Sequence, residues 1–284
     1  MNLKRIVLSF LFLSLVALLP SCARKQGVIV GSSKVVSQAH KIEAVSALKA
    51  YGGIKVTVVQ GAGASCTVQG QDNVLPHVRF EQQGGELSVG LDRRYAYVNA
   101  DVTVTLYTPY LSKLVLSGGS RAVFKGQFAG SSFTADLSGA AEAEGLTLQT
   151  ATCRVDLSGA SGFKGSVAAN DLSVTSVGAS EAVLTARQVR RLTGEISGAS
   201  QMTLSGTAGQ LRLELSGSSS CTAQGLSVQT ARVEASGASK ASVNAQKELA
   251  YELSGSSTLK DYGRARVTSE SASGSSKYVH VSGR

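Results

Sequence analysis

Tryptophan is absent, proline occurs only three times, and aromatic residues make up 5% of the 284 positions. Large side chains that would fill a thick core are therefore few, and the composition suits a narrow interior lined by small residues. Histidine is scarce too. His40, His77 and His280 lie far apart and none accompanies a Ser or Cys in a recognisable arrangement, which leaves a hydrolase triad almost no support. The four cysteines, Cys22, Cys66, Cys153 and Cys221, show no Cys-x-x-Cys spacing. Zinc binding and thioredoxin-like redox chemistry are not supported, and no metal or cofactor is assigned. One disulfide among Cys66, Cys153 and Cys221 stays open, and Cys221 reads as a small buried hydrophobe. Lys and Arg outnumber Asp and Glu, for a net charge of +9. No dense basic cluster interleaved with aromatics is present, so nucleic acid is not an expected partner.

The N-terminus carries what the rest lacks, a continuous apolar run. Lys4 and Arg5 precede Ile6 to Leu19, which is too short for a usual membrane span. It ends in Leu19-Pro20-Ser21-Cys22, which resembles a bacterial lipobox. Residues 1–21 are read as a lipoprotein signal peptide, Cys22 as the lipidation site, and residues 22–43 as a tether. An ordinary signal peptide is the alternative. The expected partner is a membrane, reached through the lipid on Cys22. Ala23-Arg24-Lys25-Gln26 contains no acidic run. An outer-membrane lipoprotein follows, on the cell surface or on the periplasmic face.

From Ser117 to Ser276 one phrase, Ser-Gly-small-Ser, recurs nine times with steps of 18 to 21 residues. A period this regular marks a solenoid, in which each repeat buries its apolar face on its neighbours. Two residues before each motif Gly stand Leu116, Leu137, Leu157, Ser176, Ile196, Leu215, Ala235, Leu253 and Ala272; four before stand Leu114, Ala135, Val155, Val174, Gly194, Leu213, Val233, Tyr251 and Glu270. Both columns are mainly apolar and the column between them is polar. That alternation is a strand with one face inward, and its repetition stacks equivalent strands in parallel. The fold class is all-β, a right-handed parallel β-helix with coils of about 20 residues, the hand following from the usual hand of parallel crossovers. Gly permits a corner with positive φ, and the flanking serines supply turn hydrogen bonds, not nucleophiles.

The segment before the repeats, residues 44–112, is also strand-like. Ile54 to Val58 and Val102 to Leu106 alternate apolar and polar, the latter stopping at Pro109. Gln82-Gln83-Gly84-Gly85 reads as a hairpin turn. This region is expected to form the first coils or a cap for the β-helix of residues 113–284. It holds Asp92-Arg93-Arg94-Tyr95-Ala96-Tyr97, where basic and aromatic residues mix. Arg93, Arg94, Tyr95 and Tyr97 are a candidate glycan contact; the plainer reading is a solvated loop or edge strand with the rings packed on it.

The outward column three residues before Gly contains Glu195, Glu214, Glu234 and Glu252 in successive coils. Like charges stacked about 5 Å apart repel by roughly 1 kcal/mol in water. Arg154, Arg212 and Arg232 lie in the outward column two residues earlier and can offset this. The four glutamates are a candidate ligand or cation strip; the plainer reading is a solvated, charge-balanced face.

Ile54-Lys55-Val56-Thr57-Val58-Val59-Gln60-Gly61, Val102-Thr103-Val104 leading to Pro109 and Leu111, Leu114-Val115-Leu116-Ser117-Gly118 and the repeated Asp-Leu-Ser-Gly-Ala-Ser phrase, complete at Asp156 to Ser161, resemble one family. It is the putative auto-transporter adhesin head, GIN domain, of Bacteroidetes lipoproteins, and the likeness spans residues 44–284. It implies a β-helical fold and an adhesin role, and carries over no catalytic residue. The expected function is a non-catalytic cell-envelope module that binds a glycan or protein ligand. A β-helical polysaccharide lyase or glycosidase is the alternative. Such enzymes need clustered carboxylates in a groove built by long loops, and repeats of 18 to 21 residues leave none. A purely structural or periplasmic sensing role is the third reading.

Overall fold

Apolar columns two residues apart can bury one face only if the chain between them is extended. A computed structural model describes residues 25–281, and strands joined by tight corners make up nearly all of it. The N-terminal strands are β1 (Gly27–Val30), β2 (Val35–His40), β3 (Ala47–Tyr51), β4 (Lys55–Gln60), β5 (Ser65–Gln71), β6 (Val78–Gln83), β7 (Glu86–Leu91), β8 (Tyr95–Val98) and β9 (Val102–Thr108). The coils then follow as β10 (Lys113–Ser117), β11 (Arg121–Lys125), β12 (Gln127–Leu137), β13 (Glu142–Leu157), β14 (Gly162–Ser176), β15 (Glu181–Ile196), β16 (Gln201–Leu215), β17 (Ser220–Ala235) and β18 (Lys240–Leu253). Last come β19 (Thr258–Asp261), β20 (Arg266–Ala272) and β21 (Lys277–His280).

Each long strand bends around the coil and pairs in parallel with the next. Leu137 stands opposite Leu157, Ile196 opposite Leu215, and Leu215 opposite Ala235. One coil shows the plan. Phe133, Ala135 and Leu137 point inward from its first face, Ala143 from the second, and Leu146 and Leu148 from the third, all buried. The molecule is therefore a β-solenoid of stacked coils of about 20 residues, as the spacing predicts.

The recurring phrase is the corner between the first and second faces. All nine motif glycines have φ between 69° and 92°. From Gly139 onward, the N–H after each donates to the carbonyl of the motif glycine one coil below, as Ala160 does to Gly139 at 2.7 Å. The last Ser of the phrase turns inward. Ser161, Ser219 and Ser257 are buried and donate to the carbonyls of Leu137, Ile196 and Ala235 at 3.1 to 3.3 Å, while Ser180 bonds to the Ser200 hydroxyl at 3.3 Å. These hydroxyls satisfy the corner and are closed to solvent.

The N-terminal region forms both coils and cap. β3 and β4 make a regular coil, pairing in parallel with β10 and β11, with Gly52-Gly53 at the corner. β7 and β9 make a further coil on the outer side of β3 and β4, also in parallel. On this outer coil the direction reverses: β6 is antiparallel to β7, β5 to β9, and β2 to β5. The hairpin joining β6 and β7 turns at Gly84-Gly85, both with positive φ, as expected. Two boundaries need correction. Residues 22–43 are not simply a tether, because β1 and β2 within them pair with β8 and β5. The Gly-Ser-Ser-Lys stretch at 31–34 is a turn between strands rather than a linker. The line at 112/113 also falls inside one continuous sheet.

The last described coil ends the apolar interior with a charge. Glu270 stands in the inward column, opposite Tyr251, whose hydroxyl donates to its carboxylate at 3.0 Å. Burial and then this carboxylate push the Tyr251 phenol up to about 12. A charge at an inward position discourages another coil from stacking on the open strand edge. Glu270→Leu should therefore turn the molecule toward concentration-dependent self-association in analytical ultracentrifugation. An unchanged sedimentation profile up to high concentration would show that Glu270 is not the guard.

Candidate binding face

The outward columns of the first face form a grid. Thr175, Glu195, Glu214, Glu234 and Glu252 stand in register, one per coil. The structure thus brings the four glutamates together as a ladder. Beside it run Ser197, Ser216 and Ser236 near the corner, and the two columns flank an open groove of about 450 Å³.

The ladder is not uniformly negative. Arg212 reaches Glu214 at 2.7 Å and Glu234 at 3.2 Å, and Arg232 reaches Glu234 at 2.8 Å. The Arg232 hydrogen bond, with the Arg212 charge behind it, holds the Glu234 carboxyl below its usual range. Arg154 pairs with Asp156 at 2.6 Å in the same two columns. One coil before, burial and then the Asp156 charge push the Asp136 carboxyl up. Thr193 and Ala250 occupy the arginine column beside Glu195 and Glu252, so those two acids lack the partner their neighbours have. Among the described residues no three His, Cys, Asp or Glu side chains gather as metal ligands would. What the face offers is an acidic and a hydroxyl column with rungs about 4.8 Å apart, with a guanidinium beside the acid in the coils of Glu214 and Glu234.

The second candidate cluster is built around Asp92, which is buried. Arg94 grips its carboxylate through Nε and Nη2 at 2.6 to 3.1 Å and through its own backbone N–H at 3.0 Å. Arg79 adds a contact at 2.6 Å, and the Tyr97 hydroxyl donates to the Asp92 carbonyl at 3.0 Å. Arg93 lies 4.9 Å over the Tyr51 ring, and Tyr95 meets His77 edge-on. Arg94 and Tyr97 are thus spent on holding the β7–β8 corner, while Arg93 keeps an exposed guanidinium. Sequence reasoning missed Arg79. The signal was available: the Gly84-Gly85 turn pairs Val78 with Leu91, which brings Arg79 beside Asp92.

This clamp carries a pH dependence. The Arg94 hydrogen bonds, side chain before backbone, and then Arg79 hold the Asp92 carboxyl well below the usual carboxylate range. A depressed folded-state value means the stabilisation is complete above about pH 4 and is lost as pH falls toward the folded value. Asp92→Asn should be less stable than the parent at pH 7, and the gap should narrow as pH is lowered below about 4. Urea unfolding at a series of pH values checks this; a gap independent of pH would remove Asp92 as its source.

The three described cysteines are free and buried, and burial pushes each thiol up to about 12. Cys221 faces inward as its position in the coil predicts. Cys22 lies outside the described residues.

Fold and face define a class: a parallel β-solenoid, capped at its N-terminal end, with polar outward faces and, among the described residues, no loop-built cleft. The chain belongs to the family described as putative auto-transporter adhesin, head GIN domain, whose model matches residues 45–181 and 161–265. Crystal structures that share the fold include the following three. A putative adhesin from Parabacteroides merdae has 18% identity and a TM-score of 0.66, covering 90% of this chain and 99% of its own. A putative adhesin from Parabacteroides distasonis has 18% identity and a TM-score of 0.68, covering 89% and 100%. A putative lipid binding protein from the same species has 15% identity and a TM-score of 0.67, covering 90% and 100%. No curated protein matches the sequence.

Proposed function

We propose that this chain is a non-catalytic, lipid-anchored binding module of the cell envelope, held by an acyl group on Cys22, with the first face of the solenoid as its ligand surface. One observation carries the reading. The acidic column stays in register over four successive coils beside a hydroxyl column, with Arg212 and Arg232 paired to the acids of the middle two. Such a face suits an extended, repetitive polar ligand, a glycan or a strand-like protein segment, that meets an acid and a hydroxyl at each successive coil. Family membership supports adhesion as the use of that surface. A catalytic groove would need carboxylates converging across a cleft, whereas these acids run in a line and two of them are neutralised by Arg212 and Arg232.

The test is a screen of glycans and extracellular-matrix proteins against the chain lacking residues 1–22. Saturable binding, weakened by the pair Glu214→Gln and Arg232→Gln, is the expected result. A clean negative across both classes sinks the adhesin reading, and depolymerisation of any polysaccharide sinks the non-catalytic one.

A further inference from the structure

A different surface lies at the start of the described chain. β1 and β8 pair in parallel from Gly27 opposite Tyr95 to Val30 opposite Val98. Register partners in a parallel pair share a face, and neighbours along a strand alternate. Ile29 and Tyr97 turn in and pack on the core. Val28, Val30 and Val98 turn out, and they are 64%, 57% and 47% exposed. Single exposed valines are ordinary, but three on one small two-stranded sheet form an apolar patch that favours leaving water.

The patch has a cationic end. Because the pairing is parallel, β1 and β8 begin at the same end of the sheet. Lys25 donates to the Arg93 carbonyl at 2.6 Å, and the Gln26 N–H donates to the Arg94 carbonyl at 2.8 Å. Lys25, Arg93 and Arg94 therefore gather there, with Arg94 held on the Asp92 carboxylate. From this same end the chain runs back toward Cys22, five residues before Gly27. Five extended residues reach at most about 18 Å.

We propose that the outer face of β1 and β8 rests on an anionic phospholipid membrane. Val28, Val30 and Val98 enter the boundary between headgroups and acyl chains, and Lys25 and Arg93 meet the lipid phosphates. The proximity argument rests on the Cys22 anchor of the proposed function; the surface chemistry does not. A patch this small gives weak, salt-sensitive binding by itself, and beside a lipid anchor it sets orientation. The outer coil of the N-terminal cap then lies on the membrane, and the glutamate ladder projects from the coils beyond it.

Hydrogen exchange on the full acylated chain, free in detergent and on phosphatidylcholine vesicles with and without phosphatidylglycerol, reads the contact. Protection confined to residues 27–30 and 95–98 on the anionic vesicles is the expected result; no change in those strands overturns the proposal. The chain lacking residues 1–22 is assayed in parallel by vesicle co-sedimentation. Val28→Ser/Val30→Ser/Val98→Ser should weaken its partition at least about fivefold. Lys25→Gln/Arg93→Gln keeps the valines and should abolish the preference for phosphatidylglycerol, so the proposal stays testable if the triple variant misfolds. Equal partition of all three chains overturns it. So does protection of the patch that rises with protein concentration without vesicles, which assigns the face to a second copy of the chain. Failure of the anchor reading shows separately, as the absence of an acyl group in the intact mass of membrane-extracted protein.

Discussion

Phe163→Ala should cost about 3–5 kcal/mol. Phe163 is fully buried. Its register partners in the coils below and above are Ala143 and Ala182. One ring thus fills the interior over a column that is otherwise methyl-sized at that height. Gly165, at the next bend, leaves the ring room: a Cβ there would stand 3.2 Å from Cε1. Truncation opens a hole whose neighbours are too short to fill it. The coil walls are tied by backbone ladders on both sides, so they cannot close on it either. Denaturant unfolding measures the loss. A cost below about 2 kcal/mol would mean that the coil collapses around the hole, and the rigid-wall argument would fail.

Gly198→Ala should cost about 2–5 kcal/mol, from two separate causes. The φ of Gly198 is 77°, where an L side chain is strained by about 1–3 kcal/mol. A Cβ would also stand 2.6 Å from the Gly178 carbonyl oxygen, and that atom is backbone, held by the Ala199 N–H. Relief requires moving a ladder shared by two coils, which adds about 1–3 kcal/mol. Ala199→Ser is the control. The equivalent position holds Ser in the coils at Ser218 and Ser256, so this change should stay within about 0.5 kcal/mol. Because coils interact with nearest neighbours, hydrogen exchange should show the damage concentrated around residues 178–217. Equal stability of the two variants would mean the corner tolerates a side chain, and the recurrence of Gly would need another cause.

Both results bear on function through the face. The polar columns are equally spaced only because the corners and the interior hold every coil to one outline. Substitutions at Phe163 or Gly198 should therefore weaken ligand binding in proportion to lost fold, whereas Glu214→Gln and Arg232→Gln should weaken it with stability nearly unchanged. Comparing the two kinds of variant separates scaffold from surface.

The repeat was legible without coordinates because each coil meets the same local conditions. Inward positions every second residue, and a corner where only Gly is unstrained, are short-range requirements that recur about every 20 residues, so translation along the axis identifies the neighbours. Chain spacing alone therefore determined the parallel coils, the inward columns, the corner and the ladder of Glu195, Glu214, Glu234 and Glu252. The third face was harder to read, because its apolar residues vary in number and the bend before it shifts register, as between Glu144 and Leu146.

Tertiary structure alone decided what breaks the period. The coil of β7 and β9 stacks outside β3 and β4 although it follows them in sequence, since the chain leaves at Gln60 and returns antiparallel through β5 and β6. No spacing rule encodes that order; it depends on closing aperiodic loops so that the interior is covered at its N-terminal end. The pairing of β1 with β8 that turns three valines outward, and the reach of Arg212 to Glu234 in the next coil, arise in the same way. Each is settled by which side chains meet once the coils are stacked, and partners far apart in sequence leave no periodic trace from which to read them.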